Sequence, residues 1–64
     1  MTPAELRRRE ILRTLELEGS VWVAPLARLF GVSEVTVRSD LALLERQGRL
    51  SRVHGGGVRR GVAG

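Results

Sequence analysis

The stretch GVSEVTVRSDL, residues 31–41, decides the fold. Val37 and Leu41 stand four residues apart, and Leu44 follows three residues on, the spacing of a helix that packs one stripe on a core. Ser33 precedes the run as an N-cap, and Gly48 ends it. With the apolar residues committed inward, Thr36, Arg38 and Ser39 point away from the core, and Val35 lies opposite the stripe.

Upstream, Thr2-Pro3-Ala4-Glu5 reads as a helix start: Thr2 caps, Pro3 suits the first helical position, and Glu5 completes a capping box. Ile11, Leu12 and Leu15 share one face with Ala4 near it, and Gly19 is a stop, which predicts a first helix over about residues 3–18. Ser20-Val21-Trp22-Val23 is too short for a helix between Gly19 and Pro25, and its β-branched and aromatic content suits a brief strand. Pro25 then opens a second helix of barely two turns, ending at Gly31, in which Ala27 permits close approach to the next helix.

Beyond Gly48 the period changes. Leu50 and Val53 stand among Ser51, Arg52 and His54, followed by Gly55-Gly56-Gly57 and Val58-Arg59-Arg60, which reads as two extended segments joined at a triple-glycine tip. Residues 61–64 carry no packing pattern and are expected to be a frayed end or the start of a linker. The whole is mainly α with a small β wing: one domain over residues 1–60, a three-helix bundle plus a short antiparallel sheet. A short helix, a Gly31-Val32-Ser33 turn and a longer amphipathic helix are the layout of a helix-turn-helix, and the arginine-bearing hairpin makes it winged.

Charge narrows the partner. The 64 residues carry 11 basic and 7 acidic side chains, a net +4, and every basic residue is arginine. Arginine grips phosphates and guanine edges with two parallel donors, whatever genomic bias selected it. A small basic domain points to nucleic acid or an anionic surface. The absence of cysteine excludes disulfides and thiolate metal sites, and His54 alone holds no metal. Paired carboxylates and a nucleophile–base pair are likewise missing, so no enzyme and no cofactor is expected. No apolar run approaches a membrane span, and a soluble cytoplasmic protein is the expectation.

The residues together resemble a known family. Arg7, Ile11 and Leu15 stand four apart, Ser33-Glu34-Val35-Thr36-Val37-Arg38 forms a recognition run followed by Asp40-Leu41, and Arg52-Val53-His54-Gly55-Gly56 closes the pattern. Over about residues 5–60 the chain resembles the DNA-binding domain of the DeoR family of bacterial transcription regulators. The resemblance implies a repressor that reads double-stranded operator DNA with the third helix and touches flanking DNA with the wing. It also implies a larger C-terminal domain that binds a phosphorylated sugar and joins copies into a homo-oligomer, so this chain is read as a monomeric fragment. Two positions depart from the family pattern: Ser39 stands where a basic residue is common, weakening one contact, and Gly57 replaces an alanine, which is expected to loosen the wing tip.

The candidate DNA-binding residues are therefore Ser33, Glu34, Val35, Thr36, Arg38 and Ser39 in the helix and Arg52, His54 and Gly55 in the wing. Arg38 offers a fork to guanine or phosphate, the hydroxyls reach bases or phosphates, Val35 meets a thymine methyl, and His54 donates to a phosphate. Asp40 repels phosphate, so its expected work is to hold an arginine, either Arg52 or Arg13. Trp22 is read as a hydrophobic plug under the strand, Arg7, Arg8 and Arg9 as a solvated face, and the glycines as a turn with no phosphate-loop sequence after them. The competing function is a winged helix that binds protein and no specific DNA.

Overall fold

The computed structural model describes residues 1–60, and the expected tail at 61–64 lies outside the described residues. Six elements follow in order: α1 (Pro3–Glu18), β1 (Ser20–Trp22), α2 (Val23–Phe30), α3 (Glu34–Arg46), β2 (Leu50–Val53) and β3 (Gly56–Arg59).

The first helix begins as its capping box dictates. Thr2 Oγ1 accepts from the Glu5 amide at 3.1 Å, and Glu5 returns a carboxylate oxygen to the Thr2 amide at 2.8 Å. Hydrogen bonding from Thr2, its backbone amide first and its side chain second, holds the Glu5 carboxyl below its ordinary range. The helix stops where Gly19 turns left-handed, at φ 85°, a conformation that costs glycine little.

Helix α2 starts two residues before the expected place. Val23 leaves the strand and becomes its first residue, so Pro25 sits third, still in the first turn where its missing N–H costs no helical bond. Gly31, at φ 66°, ends α2, and Ser33 opens α3 by accepting from the Thr36 amide at 3.1 Å. The turn between the two helices is therefore three residues, Gly31 to Ser33.

The sheet is three-stranded and antiparallel, in the order β1-β3-β2. The short strand after α1 is thus the outer neighbour of the hairpin's second strand, with Val21 opposite Gly57 and Trp22 opposite Gly56. Strand alternation sends Val21 inward and leaves Trp22 47% exposed. The plug under the sheet is Val21; Trp22 covers the outer face, its ring lying against Gly56.

That placement also moves the glycines. The strands join through His54 and Gly55, the latter at φ 77°, while Gly56 and Gly57 are buried members of β3. A Cβ on Gly56 would overlap the Val21 carbonyl oxygen and fall 2.7 Å from a ring atom of Trp22. Gly57 is no part of the tip: it lies within β3, where a Cβ would stand 3.2 Å from Leu50 Cδ1.

Ile11, Leu15, Val21, Val23, Leu26, Ala27, Val37, Leu41, Leu44 and Leu50 form one core drawn from all three helices and two strands, with Leu12, Phe30 and Val32 packed at its margin. Ala27 is buried on α2, in the core that α3 shares. Among the described residues no helix is long and apolar enough to cross a membrane.

Candidate nucleic-acid interface

Helix α3 has two unlike faces. Val37, Asp40, Leu41 and Leu44 are buried, whereas Glu34, Val35, Arg38 and Ser39 are exposed, Val35 by 71%. Helical spacing puts Glu34 beside Arg38, and Val35 beside both Arg38 and Ser39, on one outward patch. Its N-terminal edge is finished by Ser33 and Thr36, whose hydroxyls lie 3.0 Å apart. The positive end of the helix dipole lies under the same edge.

Arg38 is engaged within the patch. Its Nη2 donates to Glu34 Oε1 at 3.2 Å, with the side chains 47% and 52% exposed. A surface pair this open is weak and easily exchanged for another partner.

The wing residues are positioned separately. Arg52 lies exposed on β2, and His54 and Gly55 form the exposed turn. Beyond the pairing of β3 with β1, the Arg52 amide donates to Glu45 Oε2 at 3.0 Å, the Val23 amide to the Gly55 carbonyl at 2.9 Å, and the Arg59 amide to the Gly19 carbonyl at 3.0 Å. Glu45 therefore joins α3 to β2 directly. The six helical candidates share one helix end, and the three wing candidates share one hairpin.

Asp40 holds arginines, but they are Arg7 and Arg8 of α1, in place of the expected Arg52 or Arg13. Arg7 Nε and Nη2 both donate to its carboxylate, the second at 3.1 Å, and Arg8 Nη1 adds a bond at 3.3 Å. Asp40 is 3% exposed, and both of its carboxylate oxygens accept hydrogen bonds. Its hydrogen bond raises the pKa of Arg7, so that guanidinium stays charged throughout. Arg7 and Arg8 are thus no solvated face. The sequence held the sign of this: Arg7 stands one turn before Ile11 on the buried stripe, and Asp40 one turn before Leu44 on the other.

No group of three or more histidine, cysteine, aspartate or glutamate side chains suited to a metal ion occurs among the described residues.

A capped helix with one packed and one polar face, set behind a short helix and a three-residue turn and flanked by a hairpin, defines a winged helix-turn-helix, a class of DNA-binding module. Residues 7–60 match the DeoR-like helix-turn-helix domain, and the chain belongs to that family. It is similar to a candidate aga operon transcriptional repressor of Escherichia coli O157:H7, 47% identical over 58 residues that are 91% of this chain and 22% of that protein. It is also similar to a candidate galactitol utilization operon repressor of Escherichia coli (strain K12), 42% identical over 53 residues, 83% of this chain and 47% of that one. A lactose phosphotransferase system repressor of Streptococcus mutans serotype c is 40% identical over 52 residues, 81% of this chain and 21% of its own length. The chain thus spans from about a fifth to about half of these relatives. No solved structure gives a significant match.

Proposed function

We propose that this chain is the operator-reading domain of a DeoR-type repressor of sugar metabolism genes, acting on double-stranded DNA in the bacterial cytoplasm. The observation that carries the reading is the outward patch of α3, where Val35 and Arg38 stand exposed on a helix whose other face is fully packed. A helix N-terminus bearing short polar groups, one arginine and one small apolar side chain fits a major groove. In this reading Arg38 takes a guanine edge, Val35 a thymine methyl, and Ser33, Thr36 and Ser39 take phosphate or base atoms. Arg52 and His54 contact backbone beside the groove, with Gly55 letting the turn approach. The names of the relatives support the sugar-metabolism assignment. A C-terminal region beyond this chain would bind a sugar phosphate and hold two or more copies together.

Selection from a random duplex pool, followed by binding of the enriched duplex at several salt concentrations, tests the proposal. With about four to six arginines on phosphates, log K against log salt falls with a slope of roughly −3.5 to −5.5. Enrichment of no sequence together with a flat salt dependence would instead support a protein-binding winged helix.

A further inference from the structure

The acidic residues of α3 are disposed unequally. Asp40 is buried under Arg7 and Arg8, and Glu45 is turned to the Arg52 amide. Glu34 alone among them stands on the outward patch, and its partner there is Arg38. A carboxylate at the leading end of a groove-entering helix is repelled by every phosphate it passes. It stabilises the helix dipole, but any acidic or neutral capping group away from the patch does that without the repulsion.

We propose that Glu34 and Arg38 act as one reading unit, in which the Glu34 carboxylate accepts from the exocyclic amino group of a cytosine while Arg38 takes a neighbouring guanine. The inference rests on the DNA reading above and deepens it. A carboxylate only accepts hydrogen bonds. In the major groove guanine presents O6 and N7, both acceptors, and thymine presents O4, so both repel it. Adenine offers an amino group, but its N7 acceptor lies alongside and opposes the second carboxylate oxygen. Cytosine presents its N4 amino group with no adjoining acceptor, and it is the base that satisfies Glu34.

Arg38 supplies the other half. Its Nη2 already bonds Glu34 Oε1 at 3.2 Å, so the two side-chain tips lie within about one base step of 3.4 Å. The carboxylate keeps lone pairs free for the cytosine while holding Arg38, and Arg38 keeps N–H groups free for the guanine. Neither charge is stranded when water leaves the groove.

The test is selection of duplexes by the wild type, Glu34→Gln, Glu34→Ala and Arg38→Ala. Glutamine matches adenine through N6 and N7, so E34Q should move the preference at one base pair from cytosine to adenine, by about five- to tenfold, and leave the other positions alone. E34A should relax that position, and R38A the neighbouring one. If E34Q and E34A instead strengthen all duplexes alike, with no change at any position, Glu34 is only a repulsive surface charge and the inference is overturned. A folded wild type that enriches no duplex overturns the DNA reading itself.

Discussion

Arg7 of α1 and Asp40 of α3 are joined by two hydrogen bonds inside the fold, 33 residues apart in sequence. Asp40 sits on the helix that carries the outward patch, one residue after Ser39, and its carboxylate faces away from that patch. The contact therefore fixes how far α3 rotates about its own axis, and so which side chains it turns outward.

Removing Arg7 leaves this buried carboxylate with Arg8 alone. Stranding one half of a buried pair costs about 3–5 kcal/mol, and with Arg8 still in reach Arg7→Ala should cost about 2–3 kcal/mol. Arg8→Ala, a more exposed single bond, should cost less than about 1 kcal/mol. Asp40→Ala should be milder than the Arg7→Ala/Arg8→Ala double variant, because both arginines can swing into water. The domain's whole stability is of the order of 3–10 kcal/mol, so urea denaturation resolves these differences. Equal losses from the two single arginine variants would show that Arg7 has no special place.

Gly56 and Gly57 should part company on mutation. Gly56→Ala drives a methyl into the Val21 carbonyl and the Trp22 ring, and should cost about 3 kcal/mol or more, since backbone is in the way. Gly57→Ala meets Leu50 Cδ1 at 3.2 Å, the end of a side chain that can yield, and should stay within about 1 kcal/mol of the parent. Thermal melts followed by circular dichroism separate the two, and Trp22 fluorescence reports the first directly.

Arg52→Ala should weaken all duplexes alike and reduce the salt slope by about 1, as expected of a phosphate contact. Its backbone amide keeps the bond to Glu45, so the hairpin stays in place when the side chain is cut back. Arg38→Ala should cost about 1–3 kcal/mol and blur the preference at one or two base pairs. Binding of matched and scrambled duplexes distinguishes them, and identical sequence-blind losses would make Arg38 a phosphate anchor.

One domain presents one helix to one groove segment, about half an operator. The isolated chain should be monomeric in sedimentation and bind in the nonspecific range of about 10⁻⁴–10⁻⁶ M at physiological salt. Fusion to an unrelated dimerising coiled coil through a flexible linker should raise affinity for a two-half-site duplex by about 10²–10⁴ and leave a single half-site unchanged. Nanomolar binding of one half-site by the unfused chain would contradict the half-reader picture.

Local chemistry made most of the fold legible. The Thr2–Glu5 capping box, the Ser33 cap and the stripe of Val37, Leu41 and Leu44 each declare themselves within a turn or two of helix, and all stand as read. The misreadings lie where distant segments meet. Nothing near Trp22 says that β1 will pair with β3, and that pairing alone turns Trp22 outward and buries Gly56. Asp40 shows by its place on a packed stripe that it needs a cation, but which arginine reaches it depends on how α1 crosses α3. The outward patch was legible because a helix with one committed face has only one other to offer. The pairing of Arg38 with Glu34 follows the ordinary four-residue spacing of a helix surface.

Strand β3 is clamped along its length: Gly55 is bonded to Val23, Gly56 is pinned beneath Trp22, and the Arg59 amide donates to the Gly19 carbonyl at 3.0 Å. A hairpin held at both ends has little compliance, and under the proposed binding mode it meets the duplex as a rigid jaw. The work of conforming then falls on the DNA, whose flexible pyrimidine–purine steps yield more readily than stiff A-tracts. Base pairs that no side chain reaches would thereby enter the choice of operator through the stiffness of the duplex.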